Sequence, residues 1–141
     1  MDFNYFLDCL LESFSFVDTA AQEIGYNNKE VKNYCKNSMQ YEIDLDEFFR
    51  SHRDELGFIS LVPVSSGVYS VDRFGDLAYH IRAFANSDDI EISTYKGSIT
   101  DRDELEKFRQ LVLNYSKFID KLLEILRDTD SEFNLDENEP Y

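Results

Sequence analysis

Histidine is scarce in this chain: His52 and His80 are the only two among 141 residues, and their separation offers no shared metal site. His52 follows Phe48 and Phe49 on the apolar side of a helix, where a hydrogen-bonded, partly buried ring is expected. His80 stands two residues before Arg82, and in an extended strand the two share a face suited to an anion or a carboxylate. Cys9 and Cys35 make neither a disulfide framework nor a zinc set; they are expected as small buried fillers in a reducing compartment. Ser65, Ser66 and Ser70 fall in or beside a turn without a nucleophile elbow around them. There is no glycine-rich phosphate loop, no Cys-x-x-Cys and no framed pair of catalytic carboxylates, so no catalysis, cofactor or metal is expected.

What the chain has in abundance is carboxylate. Asp128, Asp130, Glu132, Asn134, Asp136 and Glu139 occupy positions 1, 3, 5, 7, 9 and 12 of a stretch that follows a helix, and in spacing it resembles an EF-hand calcium loop. Phe133 stands where glycine must make the sharp turn, Glu132 replaces Asp or Asn, and two residues remain after Glu139. Residues Asp128 to Tyr141 are therefore expected to be a solvated acidic tail.

Twenty-nine acidic against fourteen basic residues give a net charge of −15, which disfavours direct contact with nucleic acid or an anionic membrane. Met1-Asp2 opens without the basic region of a secretory signal, and no apolar run approaches the roughly 20 residues that span a bilayer, so a cytoplasmic protein is expected. The acids gather on the N-terminal helix, on Asp44, Asp46, Glu47, Asp54 and Glu55, at Asp88, Asp89 and Glu91, and in the tail at Asp136 and Glu137. Carboxylates on adjacent helical turns lie about 5–6 Å apart, comparable with the dense charge of a phosphate backbone. Tyr26, Tyr41 and Phe133 are the aromatics placed among these acids to anchor a partner.

The elements that position these groups begin with a long helix over Thr100–Arg127. Leu105, Phe108, Val112, Tyr115, Ile119, Leu122 and Leu126 step by 3, 4, 3, 4, 3 and 4, with Leu111, Phe118 and Ile125 seven apart beside them. Thr100 is the expected N-cap, with Asp103 three residues on. The band is wider than a two-stranded seam, so its partner is expected within the chain rather than in a second copy. A second long helix is expected over residues 3–24, stopped by Gly25 and weakened at Ser13–Val17. Short helices are expected at Lys29–Lys36 and, capped by Asp44 with Glu47 at the capping-box position, from Asp44 to Gly57, with room for a short strand before the second. Phe58–Val64, Val68–Arg73, Leu77–Ala85 and Ile90–Lys96 are β-branched and aromatic runs separated by Ser-Ser-Gly, Phe-Gly-Asp and Asn-Ser-Asp-Asp. Pro63 makes the first of them an edge strand.

The expected fold is thus a single α+β domain over residues 1–127, a four-stranded antiparallel meander packed by long N- and C-terminal helices, followed by the acidic tail. The expected function is that of a small acidic, non-catalytic inhibitor. It would occupy the nucleic-acid site of a basic partner, a nuclease or another nucleic-acid-binding protein, and act as monomer or homodimer. In size and charge the chain is similar in class to toxin immunity proteins and to phage-encoded blockers of host defence nucleases, anti-CRISPR proteins among them, although no motif of either group is present. The alternative is a homodimeric adaptor or secretion-type chaperone that holds a client segment; the uninterrupted meander departs from the helix-interrupted order of that type.

Overall fold

The computed structural model describes residues 2–62 and 70–128. Helix α1 (Phe3–Thr19) is capped by Asp2, whose carboxylate accepts from the Tyr5 N–H at 2.7 Å, and runs on into a π-helical turn at Ala20–Ile24. The break foreseen at Ser13–Val17 is absent, because all five of those residues are buried and packing outweighs their weak helix preference. Helix α2 (Lys29–Tyr34), capped by Asn28, continues as a tight turn through Asn37. Helix α3 (Met39–Ser51) is followed by the short α4 (Arg53–Leu56), which Gly57 ends at φ +80°. Helix α5 (Val71–Ala85) precedes the two-residue strands β1 (Ile92–Ser93) and β2 (Ser98–Ile99), and α6 (Arg102–Asp128) is the last described element.

The four-stranded meander is not there. Among the described residues the only sheet is the antiparallel pair β1–β2, with Ile92 opposite Ile99 and Ser93 opposite Ser98, and the rest of the regular structure is helical. Residues 70–85, expected as two strands around a Phe-Gly-Asp turn, form one helix: Ser70 caps it, and Phe74, Leu77, Ala78, Ile81, Phe84 and Ala85 make a single buried face. Leu77, Tyr79 and Ile81 alternate along the sequence, yet Tyr79 is exposed while the residues three and four apart are buried, so the helical period prevails. Gly75 is a close-approach residue rather than a turn: a Cβ there would lie 3.0 Å from Arg127 Nη2 and 3.6 Å from Leu123 Cδ2 of α6. The last expected strand survives only as β1, and its partner β2 was not foreseen. Residues 58–62 lie outside any strand, and Pro63, Ser65, Ser66 and Val68 fall outside the described residues.

Helix α6 is the spine, one face of it buried from Phe108 to Leu126 against α5, α3 and α2. Its cap is Asp101, one residue later than expected, which accepts from the N–H groups of Asp103 and Glu104. Phe3, Phe6, Phe49, Phe84 and Phe108 interlock where the start of α1 meets the end of α5 and the start of α6. Midway along α6, Tyr115 is fully buried, its ring edge-on to Phe14 and its hydroxyl 2.8 Å from Ser13 Oγ. Ser13 spends its own proton on the Leu10 carbonyl at 2.6 Å, so Tyr115 is the donor between the two hydroxyls. Helix α5 bridges α1 and α6 through the stacked pair Phe16–Phe74, through Arg73 bidentate to Glu12, and through Arg82 to both oxygens of Asp120.

Candidate functional site

Five of the expected site residues line two depressions that share no lining residue, Asp88, Asp89 and Glu91 in one and Asp46 and Glu47 in the other. The first is a cleft of about 810 Å³ between the loop after α5 and the first turns of α6, lined by Asp88, Asp89, Ile90, Glu91, Arg102, Leu105, Glu106 and Arg109. Arg109 builds its floor: Nη1 donates to the Ala85 carbonyl at 2.8 Å and Nη2 to the Ser87 carbonyl at 3.2 Å, satisfying the C-terminal end of α5. Its Nε lies 3.2 Å from Glu106 Oε2, close enough for an ion pair but off the hydrogen-bond axis. Asp88, Asp89 and Glu91 are exposed and form no ion pair among the described residues.

The second depression is a groove of about 470 Å³ between α3 and residues 58–62. Met39, Ile43, Phe58 and Val62 stand out into water around it, with Glu42, Asp46 and Glu47 beside them. Asp46 holds Arg50 at 2.7 Å. Burial and the nearby charge of Asp18 push the Glu42 carboxyl up from 4.5 to about 7. Asp44, expected to cap this helix, lies in its interior and accepts from Gln40 at 2.8 Å, because α3 begins at Met39 instead.

Asp54 is exposed on α4, while Glu55 is engaged: its carboxylate lies 3.1 Å from His52 Nδ1, and Glu104 approaches His52 Nε2 at 2.6 Å. The buried, doubly partnered His52 ties α4 to the start of α6, as its place on the apolar side implied. His80 and Arg82 do not share a face, since neighbours two apart on a helix point differently. His80 packs edge-on between Tyr5 and Tyr79, and Arg82 belongs to Asp120. Cys9 and Cys35 are free and buried, and burial pushes the Cys35 thiol up to about 11. Of the expected aromatic anchors Tyr26 is 85% exposed, but Tyr41 is packed on Tyr115 and Phe118. Phe133, Asp136, Glu137 and the calcium-like spacing after Asp128 lie outside the described residues.

Sequence reasoning missed the apolar lining of the groove. The signal was there in Met39 and Ile43, one helical turn apart and off the row of Leu45, Phe48 and Phe49 that builds the core. Among the described residues no group of three His, Cys, Asp or Glu side chains is arranged to hold a metal, and no helix is long and apolar enough to cross a membrane. Compared with known proteins, the chain matches no family model, no curated protein and no solved structure.

Proposed function

We propose that this chain is a small acidic binding protein that seats itself on a basic protein partner, a nuclease or other nucleic-acid-binding protein, and blocks its nucleic-acid site without chemistry of its own. The observation that carries this reading is the set of exposed carboxylates that form no ion pair among the described residues, Asp88, Asp89 and Glu91, which with Glu106 outnumber Arg102 and Arg109 in the lining of the cleft. Elsewhere on the surface acids are already paired: Glu12 holds Arg73, Asp46 holds Arg50 and Asp120 holds Arg82. The unpaired excess therefore projects a negative field that steers a cationic partner and repels nucleic acid.

The test is capture of partners from host lysate at low and high salt, with DNA or RNA added as competitor and the bound proteins identified. A nucleic-acid-binding protein released by salt and displaced by competitor is the expected result. Reversing Asp88, Asp89 and Glu91 to lysine is expected to weaken that capture by tenfold or more. Capture unchanged by salt, competitor and charge reversal would refute the reading. A second reading, an adaptor or secretion-type chaperone, is favoured by the apolar side chains exposed along the α3 groove; it predicts a secreted, partly unfolded client held without regard to salt.

A further inference from the structure

Four large apolar side chains converge on the α3 groove and remain in water: Met39 and Ile43 on the helix, Phe58 (73% exposed) and Val62 (72% exposed) across from it. An apolar patch of this kind on a soluble protein marks a surface that something covers. On the same rim the main chain is open: among the described residues Phe58–Val62 makes no backbone-to-backbone hydrogen bond, and the Val62 N–H reaches only Ser60 Oγ at 3.3 Å.

Charge identifies the occupant. Glu42, Asp46 and Glu47 line the groove, and Arg50, the cation among its described lining residues, is already held by Asp46. A second copy docking face to face would set the same carboxylates against themselves. Residues 129–141 carry five acids and no base, so they too are repelled. What complements the groove is an apolar stretch that also carries cations.

We infer that the groove between α3 and Phe58–Val62 is the docking site for a basic, apolar segment of the protein partner. Met39, Ile43, Phe58 and Val62 receive its apolar side chains, and Glu47, exposed and in no ion pair among the described residues, receives a lysine or arginine at the rim. This inference rests on the basic partner of the proposed function and names where that partner is gripped: by the groove, with the carboxylates of the cleft supplying long-range steering.

The probe is a synthetic peptide of about four helical turns with leucine at i, i+3, i+4 and i+7 and lysine elsewhere, titrated into the full chain while backbone amide resonances are followed at about 150 mM salt, where exposed charges are screened beyond ~8 Å. Shifts are expected to concentrate in residues 39–50 and 58–62. Peptides with glutamate for lysine, or serine for leucine, are expected to bind at least tenfold more weakly. The double variant Phe58→Ser/Val62→Ser is expected to weaken the leucine–lysine peptide about tenfold, and Tyr95→Ser to leave it unchanged; all these side chains are largely exposed, so the fold is kept. Shifts centred on Asp88–Glu91 or spread evenly over the acidic surface would overturn the inference, as would undiminished binding by the double variant. Groove resonances that move on dilution, or on removal of residues 129–141, would give the groove to a second copy or to the chain's own tail and overturn it equally. A groove that takes the peptide while no salt-sensitive basic partner is captured refutes the proposed function alone. A captured partner indifferent to the double variant refutes the groove alone.

Discussion

Replacing Glu42 by glutamine should stabilise this protein at alkaline pH and do little in acid. The Glu42 carboxyl is half-buried beside α1, close to Asp18, and is pushed from 4.5 to about 7, burial being the larger cause. A carboxyl whose folded pKa exceeds its unfolded one binds its proton more tightly in the native state, so stability falls as pH rises from 4.5 and the full cost is felt above about 7. At about 1.4 kcal/mol per pKa unit the ceiling is roughly 3 kcal/mol. The groove admits water, and screening brings the effect to about 1–2 kcal/mol. Glutamine keeps the shape and cannot ionise. Urea unfolding at pH 8 should therefore show Glu42→Gln more stable by about 1–2 kcal/mol, a midpoint higher by roughly 0.5–1 M. At pH 5, where native Glu42 is already protonated, the gain should shrink to about a quarter of that. Asp18→Asn should give a smaller gain of the same sign. An equal gain at both pH values, or a loss at pH 8, would refute the reasoning.

The hydroxyl pair in the core predicts an asymmetry: Ser13→Ala leaves the buried Tyr115 hydroxyl without an acceptor and should cost about 1–3 kcal/mol, Tyr115→Phe about 0.5–1.5 kcal/mol, and the double variant less than their sum. Strict additivity in unfolding free energy would remove the coupling. Gly75 and Gly97, both at close approaches, predict opposite signs in thermal unfolding. At Gly75 the crowding atom is the flexible end of Arg127, so Gly75→Ala should gain roughly 0.5–1 kcal/mol of helix propensity. A Cβ at Gly97 would lie 2.6 Å from the Glu55 backbone oxygen, so Gly97→Ala should lose about 1–3 kcal/mol by prising the β1–β2 hairpin off α4.

The helices at the two ends were legible because their apolar rows persist for many turns: Phe108 to Leu126 is buried as the spacing implied, whereas the caps read at Thr100 and Asp44 were not, α6 being capped by Asp101 and α3 beginning at Met39. The middle was misread for a definite reason. Between Ser70 and Ala85 the period of two and the period of 3.6 coincide at Leu77 and Ile81, and Gly75 looked like a turn residue when it is the contact point for α6. A single sequence carries no record of which neighbour will press against a glycine. The carboxylates of the site were visible as a composition, but pairing was not. Arg50, Arg73 and Arg82 reach their acids across turns or between helices, and His52 claims Glu55 and Glu104. Only the folded chain separates the carboxylates already spoken for from those in no ion pair among the described residues.

The bond between Ser13 and Tyr115 joins residues 102 apart in sequence, and the phenylalanines at the start of α1 close on α5 and α6 in the same way. Contacts of such separation are reached only after most of the chain's closure entropy has been lost. The local pairing of α5 with α6 can form early, whereas α1 must arrive last and from far away. Folding of this helical protein should accordingly be slower than its helix content implies, and a nascent chain lacking α6 would have α5 to cover α1 but would leave Phe14 and the Ser13 hydroxyl without the Tyr115 that meets them in the folded chain.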